Sequence, residues 1–294
     1  MRELFCGFVA LALTSLGNLA AEEMKDFDGC TLVVTEWADG DSFSVKFPDG
    51  EERTLRLYGA DCIEWHVSDK SDARRLRAQR RYFGISDHGG SSQKSIAAAK
   101  KLGEAAGLEV RLLLKNEFTV TTAFADARGD GNYKRYYGFI TLNDGRDLGE
   151  VLVGAGLARA FGVYRGRPGL ISSNDYEERL NDIELKAAKL GAGVWKLTDW
   201  AMLPEERKAE REEQAELTSA TDSAVDLEPQ SVDLNTAPRD LLMKLPGIGE
   251  TFANRIIEGR EKGPFHSLDD LERVPGLGVI RIKNIANYLL FSKD

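Results

Sequence analysis

The chain is poor in the residues that carry metal and covalent chemistry. It has three histidines and three cysteines in 294 residues. His66, His88 and His266 are scattered and no Cys-x-x-Cys occurs, which argues against a zinc site and against hydrolases built on paired histidines. No Gly-x-Ser-x-Gly is present, so a nucleophile elbow is absent. The glycines at 154–156 read as a helix end rather than a dinucleotide loop. Beyond the N-terminus no apolar run is long enough to span a bilayer. The net charge of −9 and a pI near 5.1 argue against a wholly electrostatic nucleic-acid binder, though not against a local basic groove. The acidity is concentrated. Residues 22–200 carry 26 basic against 29 acidic side chains, residues 201–230 carry 3 against 9, and residues 231–294 carry 9 against 9.

The first 21 residues read as a signal peptide. Arg2 precedes the short apolar run "LFCGFVALAL", and small residues around Ala20 and Ala21 suit cleavage. A secreted or periplasmic location is therefore expected. Cleavage would remove Cys6 and leave Cys30 and Cys62. These are expected to be unpaired, because the start of the first strand and the end of the third lie at opposite ends of an up-down-up meander.

Residues 31–37, 41–47 and 53–60 have strand patterns separated by the turn signals "ADGD" and "FPDGEE", which predicts an antiparallel meander. Residues 92–101 and 103–114 are predicted helices. Residues 117–124 and 135–142 read as two more strands, 148–158 as a short helix, and 174–195 as a helix capped by Asn174 or Asp175 and ended by Gly191. Five strands with a helix after the third form the layout of a small OB-type barrel. Residues 204–216 are expected to form a charged, solvated helix, and the polar stretch after it a linker. A second unit, residues 231–294, carries the repeat "KLPGIG" and "RVPGLG", whose prolines Pro246 and Pro275 are 29 residues apart.

The stretches "ADGDSFSV" (38–45) and "RLYGADCIEW" (56–65) hold the chemistry of the first unit. A hairpin turn needs one Asp-Gly pair, and the second carboxylate calls for a reason. Asp41 at the hairpin and Asp61 at the end of the third strand fall at the same end of the meander. Two carboxylates there raise each other's pKa unless a cation neutralises them, and oxygen ligands suit a hard divalent ion. Glu64 could act on a nearby water, and Arg56 could hold a phosphate.

These segments resemble the staphylococcal nuclease (thermonuclease) family over residues 30–198. "DGDSFSV" and "RLYGADCIE" carry the likeness, with "NYKRYYGFI" and "LGEVLVGAGLARAFGVY" following in the same order. The resemblance implies an α+β fold: a five-stranded OB-type barrel with helices. It implies that Asp41, Asp61 and the Cys62 carbonyl hold Ca²⁺ (or Mg²⁺ or another divalent ion), with Asp39 close to it. Glu64 matches the general base, Arg56 and Arg135 the arginines that grip the phosphate, and Tyr133 and Tyr164 the aromatic nucleotide contacts. Ile63 replaces the usual proline, and Gly131 stands where some members have aspartate. The segment after Glu64 is longer than usual and holds Arg74, Arg75, Arg77, Arg80 and Arg81 with Tyr82 and Phe83. It reads either as an added nucleic-acid contact or as a charged helix face anchored by its aromatics.

Residues 231 to about 290 resemble the helix-hairpin-helix DNA-binding domain of competence-type DNA receptors, a small all-α unit. In it Gly247, Gly249, Gly276 and Gly278 would let the hairpin backbone approach phosphates, with charge from Lys244, Arg255, Arg281 and Lys283. The expectation is an exported, metal-dependent endonuclease acting on DNA, with RNA also open, and holding DNA through its second unit. The alternative is a non-catalytic DNA-binding protein, for example in DNA uptake.

Overall fold

The computed structural model describes residues 24–68, 70–127, 134–222 and 227–291. The expected signal peptide, with Cys6, lies outside the described residues, as do Gly131 and Tyr133. The first unit runs β1 (Lys25–Val33), β2 (Ser42–Lys46), β3 (Glu52–Leu57), β4 (Ala60–Cys62), α1 (Lys70–Tyr82), α2 (Ser92–Leu113), β5 (Phe118–Thr122), β6 (Arg135–Thr141), α3 (Leu148–Gly154), β7 (Ala158–Ala160) and α4 (Ser173–Leu190). The five-stranded sheet has the order β1-β2-β3-β6-β5, and β5 pairs back to β1. All pairs are antiparallel except β3–β6. Period-two alternation explains the packing: Phe43, Val45, Leu55 and Leu57 point into the core with Val120 and Phe139, while Arg56 stays half-buried on the other face.

Ser42 pairs with Arg56, and the Leu57 N–H donates to the Asp41 carbonyl at 2.9 Å. The hairpin carboxylate is thereby placed beside the end of β3. The short β4 pairs with β7, which puts Asp61 opposite Arg159.

Several sequence expectations need correction. Residues 92–113 form one helix, not two. Gly103 is interior to it and has a packing reason: a Cβ there would collide with the Ile63 carbonyl oxygen. At Gly40 a Cβ would come within 2.5 Å of the Cys62 sulfur and 2.8 Å of the Ala106 Cβ. The small-residue face of α2 thus presses directly on both loops that carry Asp41 and Glu64. Helix α4 is capped by Ser172, whose hydroxyl accepts from the Asp175 N–H, rather than by Asn174 or Asp175. Its end is as expected, with Gly191 left-handed at φ 62°. Cys30 lies within β1 rather than at its start. Cys30 and Cys62 are both buried and free.

The charged helix expected at 204–216 is present, but one face of it is docked rather than solvated, and it runs on through the first residues of the expected linker. It forms α5 (Leu203–Asp222), which packs along α1. Glu213 pairs with both Arg77 and Arg81, Glu206 accepts from the Ser86 hydroxyl at 2.6 Å, and the Arg207 Nε donates to the Tyr82 carbonyl at 2.9 Å. The seven acidic positions of α5 would repel one another in isolation; the arginines of α1 give that helix a docking face.

The second unit holds β8 (Val232–Asp233), α6 (Arg239–Leu242), α7 (Glu250–Glu261), α8 (Val279–Ile285) and β9 (Leu289–Leu290) around its own core, which includes Leu242, Ile256, Phe265, Leu271 and Ile285. No described helix is long and apolar enough to cross a membrane.

Because Gly103 sets the distance between α2 and the loop of Glu64, Gly103→Ala is expected to destabilise the fold by roughly 1–3 kcal/mol through overpacking. Thermal denaturation measures this, and amide exchange across residues 61–65 should rise in the same variant.

Candidate active site

The site grows from three short backbone placements. The hairpin brings Asp39 and Asp41, the end of β3 brings Arg56, and β4 with its following loop brings Asp61, Cys62 and Glu64. Asp41 is 3% exposed, Asp61 5% and Glu64 8%, so three carboxylates are withdrawn from water together. Such burial requires partners for each.

Asp61 has the most. Its Oδ1 accepts from Arg56 Nη2 at 2.9 Å, and its Oδ2 accepts from Arg159 Nε at 2.8 Å and Gln79 Nε2 at 3.0 Å. Burial alone would push this carboxyl up; the guanidiniums of Arg159 and Arg56 and the Gln79 amide outweigh it and hold the group below the usual carboxylate range. Asp41 accepts from the Ser42 hydroxyl and the Cys62 N–H, both at 2.8 Å, and lies 3.5 Å from Arg56 Nη2. The charge of Asp41, with that of Asp61, raises the Arg56 guanidinium despite its burial. Asp39 faces the turn instead: its Oδ1 accepts from the N–H groups of Ser42 at 2.7 Å and Asp41 at 3.2 Å. Burial, Asp41 and Glu64 push its carboxyl up.

Glu64 is set apart. Burial raises its carboxyl to about 7, the charges of Asp41 and Asp61 add to this, and the ion pair with Arg75 at 2.7 Å opposes it. A carboxylate that titrates near neutrality beside a guanidinium can accept a proton from water at the pH where it works.

Residues 54–197 match the family model of staphylococcal nuclease homologues, and residues 228–290 match that of a helix-hairpin-helix motif. The chain carries a staphylococcal nuclease homologue domain followed by a helix-hairpin-helix motif. No curated protein matches it.

Within the nuclease homologue domain the structure brings together Asp41, Arg56, Asp61, Cys62 and Glu64. Arg135 opens β6 in register with Thr54, one alternation along the pair from Arg56. Tyr164 is not a surface aromatic: it is 6% exposed, packs in the main core, and stands against Gly59. The sequence reading missed Gln79 and Arg159, and it named Arg75 only within the arginine-rich segment, not as the partner of Glu64. Arg159 had a faint signal, a charged residue between two alanines of a buried strand. Its guanidinium lies 3.9 Å from the Phe161 ring centroid and 5.1 Å from that of Tyr82. Gln79 had no signal.

In the long segment after Glu64, Arg75 turns to Glu64, and most of the other basic and aromatic side chains have structural partners. Arg77 and Arg81 go to Glu213, and buried Arg80 donates to the Ser95 hydroxyl at 2.7 Å and the Ser86 carbonyl at 2.8 Å. Tyr82 donates to Glu184 at 2.6 Å, and Phe83 is fully buried against Trp195.

The expected cation site can be tested against these donors. Gln79 Nε2 donates to the Cys62 carbonyl at 2.7 Å as well as to Asp61, and Arg159 fills the remaining position on Asp61 Oδ2. Asp39 is turned into its hairpin, and no metal-binding group of three or more His, Cys, Asp or Glu occurs among the described residues. The oxygens expected to face calcium face an amide and two guanidiniums, so the arrangement does not fit the ion.

In the helix-hairpin-helix unit Gly247 and Gly276 both have φ of 73°, the left-handed value a hairpin of this kind demands of its glycine. Gly249 and Gly278 begin α7 and α8, with open space where a Cβ would stand. Lys244, Arg281 and Lys283 are exposed. Arg255 is not available for phosphate: it is buried, donates to the Pro275 carbonyl at 3.0 Å and pairs with Glu177 of α4.

Arg75 lowers the Glu64 pKa, so Arg75→Ala should raise it further. The proton-accepting form exists above that pKa, so the acid limb of the kcat/KM profile should move to higher pH, by up to about one unit at low salt and less at high salt. Rates across pH 5.5 to 9 at two ionic strengths, on the order of 0.02 and 0.2 M, would check it.

Proposed function

We propose that this chain is an exported nuclease whose strand ring is an OB-type barrel, and that its helix-hairpin-helix unit holds DNA by the backbone. The observation that carries the reading is Glu64: a buried carboxyl raised to about 7, in one cluster with Arg56 and two further carboxylates. Structural ion-pair networks perturb pKa values too; what supports the catalytic reading is that the raised carboxyl shares its cluster with Arg56, a guanidinium able to hold a phosphate.

The residues present divide the work of phosphodiester hydrolysis. Glu64 takes a proton from water as its oxygen bonds to phosphorus. Arg56 and Arg135 hold the non-bridging oxygens and offset the charge that develops on them. The phosphorus–oxygen bond to the 5′ side breaks, and the leaving oxygen takes a proton from solvent, giving a 3′-phosphate and a 5′-hydroxyl. Asp41 and Asp61 fix Arg56 in place. A binding-only reading draws on one observation, that Asp61 already accepts from three donors of the chain itself.

In the second unit, backbone N–H groups of the two hairpins approach phosphates, and Lys244, Arg281 and Lys283 add charge. Holding DNA there raises its local concentration at the cleft.

The purified chain should cleave single- or double-stranded DNA in assays run with Ca²⁺, Mg²⁺ or EDTA, with RNA compared alongside. Glu64→Gln should lower cleavage by about 10²- to 10⁴-fold and leave DNA binding intact, and Arg56→Ala should lower cleavage by as much. DNA binding without cleavage in every condition would favour the binding-only reading. Lys244→Ala with Lys283→Ala should weaken binding evenly across sequences and reduce the salt slope by about 2.

A further inference from the structure

We infer that Gln79 is a positioning residue of the cleavage centre, a side-chain clamp that holds the proton acceptor Glu64 in fixed relation to Asp61. The inference rests on the nuclease reading of the site and adds a residue to it.

Gln79 lies on α1 and is 1% exposed. Its Oε1 accepts from the Glu64 backbone N–H at 2.8 Å. Its Nε2 donates to the Cys62 carbonyl at 2.7 Å and to Asp61 Oδ2 at 3.0 Å. A backbone N–H only donates, and a carbonyl or carboxylate only accepts, so the partners fix which end of the amide points where. No other uncharged side chain of this length offers one acceptor and two donors in a plane. Glutamate lacks the donors, lysine lacks the acceptor, and methionine lacks both.

The loop needs such a clamp. β4 ends at Cys62, so Glu64 stands two residues past the last strand pairing. On one side the loop meets α2, where Gly103 touches the Ile63 carbonyl; on the other it meets Gln79. Helix α1 is a firm base for the grip. Arg80, the next residue, is tied to Ser95 and Ser86, and the outer arginines Arg77 and Arg81 are held by Glu213 of α5.

The test uses the full chain with Gln79→Met, which keeps the volume and removes all three hydrogen bonds, and Gln79→Glu, which keeps the length and sets a third carboxylate against Asp61. DNA cleavage is measured well below the unfolding midpoint of each variant, with hydrogen exchange at the Glu64 amide. For Gln79→Met the expected result is kcat lower by about 10- to 100-fold, KM within about three-fold, and faster exchange at Glu64. Gln79→Glu should lose more. A Gln79→Met variant whose kcat stays within about two-fold of wild type, or falls only with its folded fraction, would overturn the inference while leaving the nuclease reading in place. A wild-type chain that cleaves no DNA would overturn that reading and the role of Gln79 with it; the exchange measurement would still report the clamp separately.

Discussion

Asp61 is the point on which the nuclease homologue domain turns. Its carboxylate is bonded by Arg56 of β3, Gln79 of α1 and Arg159 of β7, three elements far apart in sequence. A buried carboxylate without such donors would be costly, and so would two buried guanidiniums without it. The cluster therefore joins the five-stranded sheet, α1 and the β4–β7 pair. Removing one member strands the others. The same bonds orient the groups that chemistry would need.

Around this centre the chain uses charge twice for docking. The arginine-rich α1 and the acidic α5 would each be unfavourable alone, and each neutralises the other. Arg207 adds packing to charge, with its guanidinium 4.4 Å from the Tyr82 ring centroid. The family model ends at residue 197, whereas the structure carries the nuclease unit on through α5. The second unit repeats the pattern on a smaller scale: Arg255 spends its charge on Glu177 and Pro275 instead of on a ligand.

Much of this was legible in the chain itself. Period-two alternation and the Asp-Gly turns marked the meander, and two PGhG elements marked the hairpins, because those signals are local. The two-helix reading of residues 92–114 failed because Gly103 looks like a breaker; its cause is contact with Ile63, which no local rule reports. Tyr164 was placed at the substrate by likeness, yet it faces the core. The arginines after Glu64 were ambiguous since composition shows charge but not its partner.

The sequence alone determined the strand pattern, the two units, and the meeting of Asp41, Asp61, Arg56 and Glu64, because a meander returns to its own end and short range suffices. Only the tertiary structure decided what surrounds them. Gln79 and Arg159 reach Asp61 from 18 and 98 residues away. They turn a pair of carboxylates that invites a cation into a centre closed by the chain's own donors. Burial, which the sequence does not state, raises Glu64 toward neutrality. Long-range packing decides both, because desolvation and partner choice depend on which elements meet and not on which residues are present.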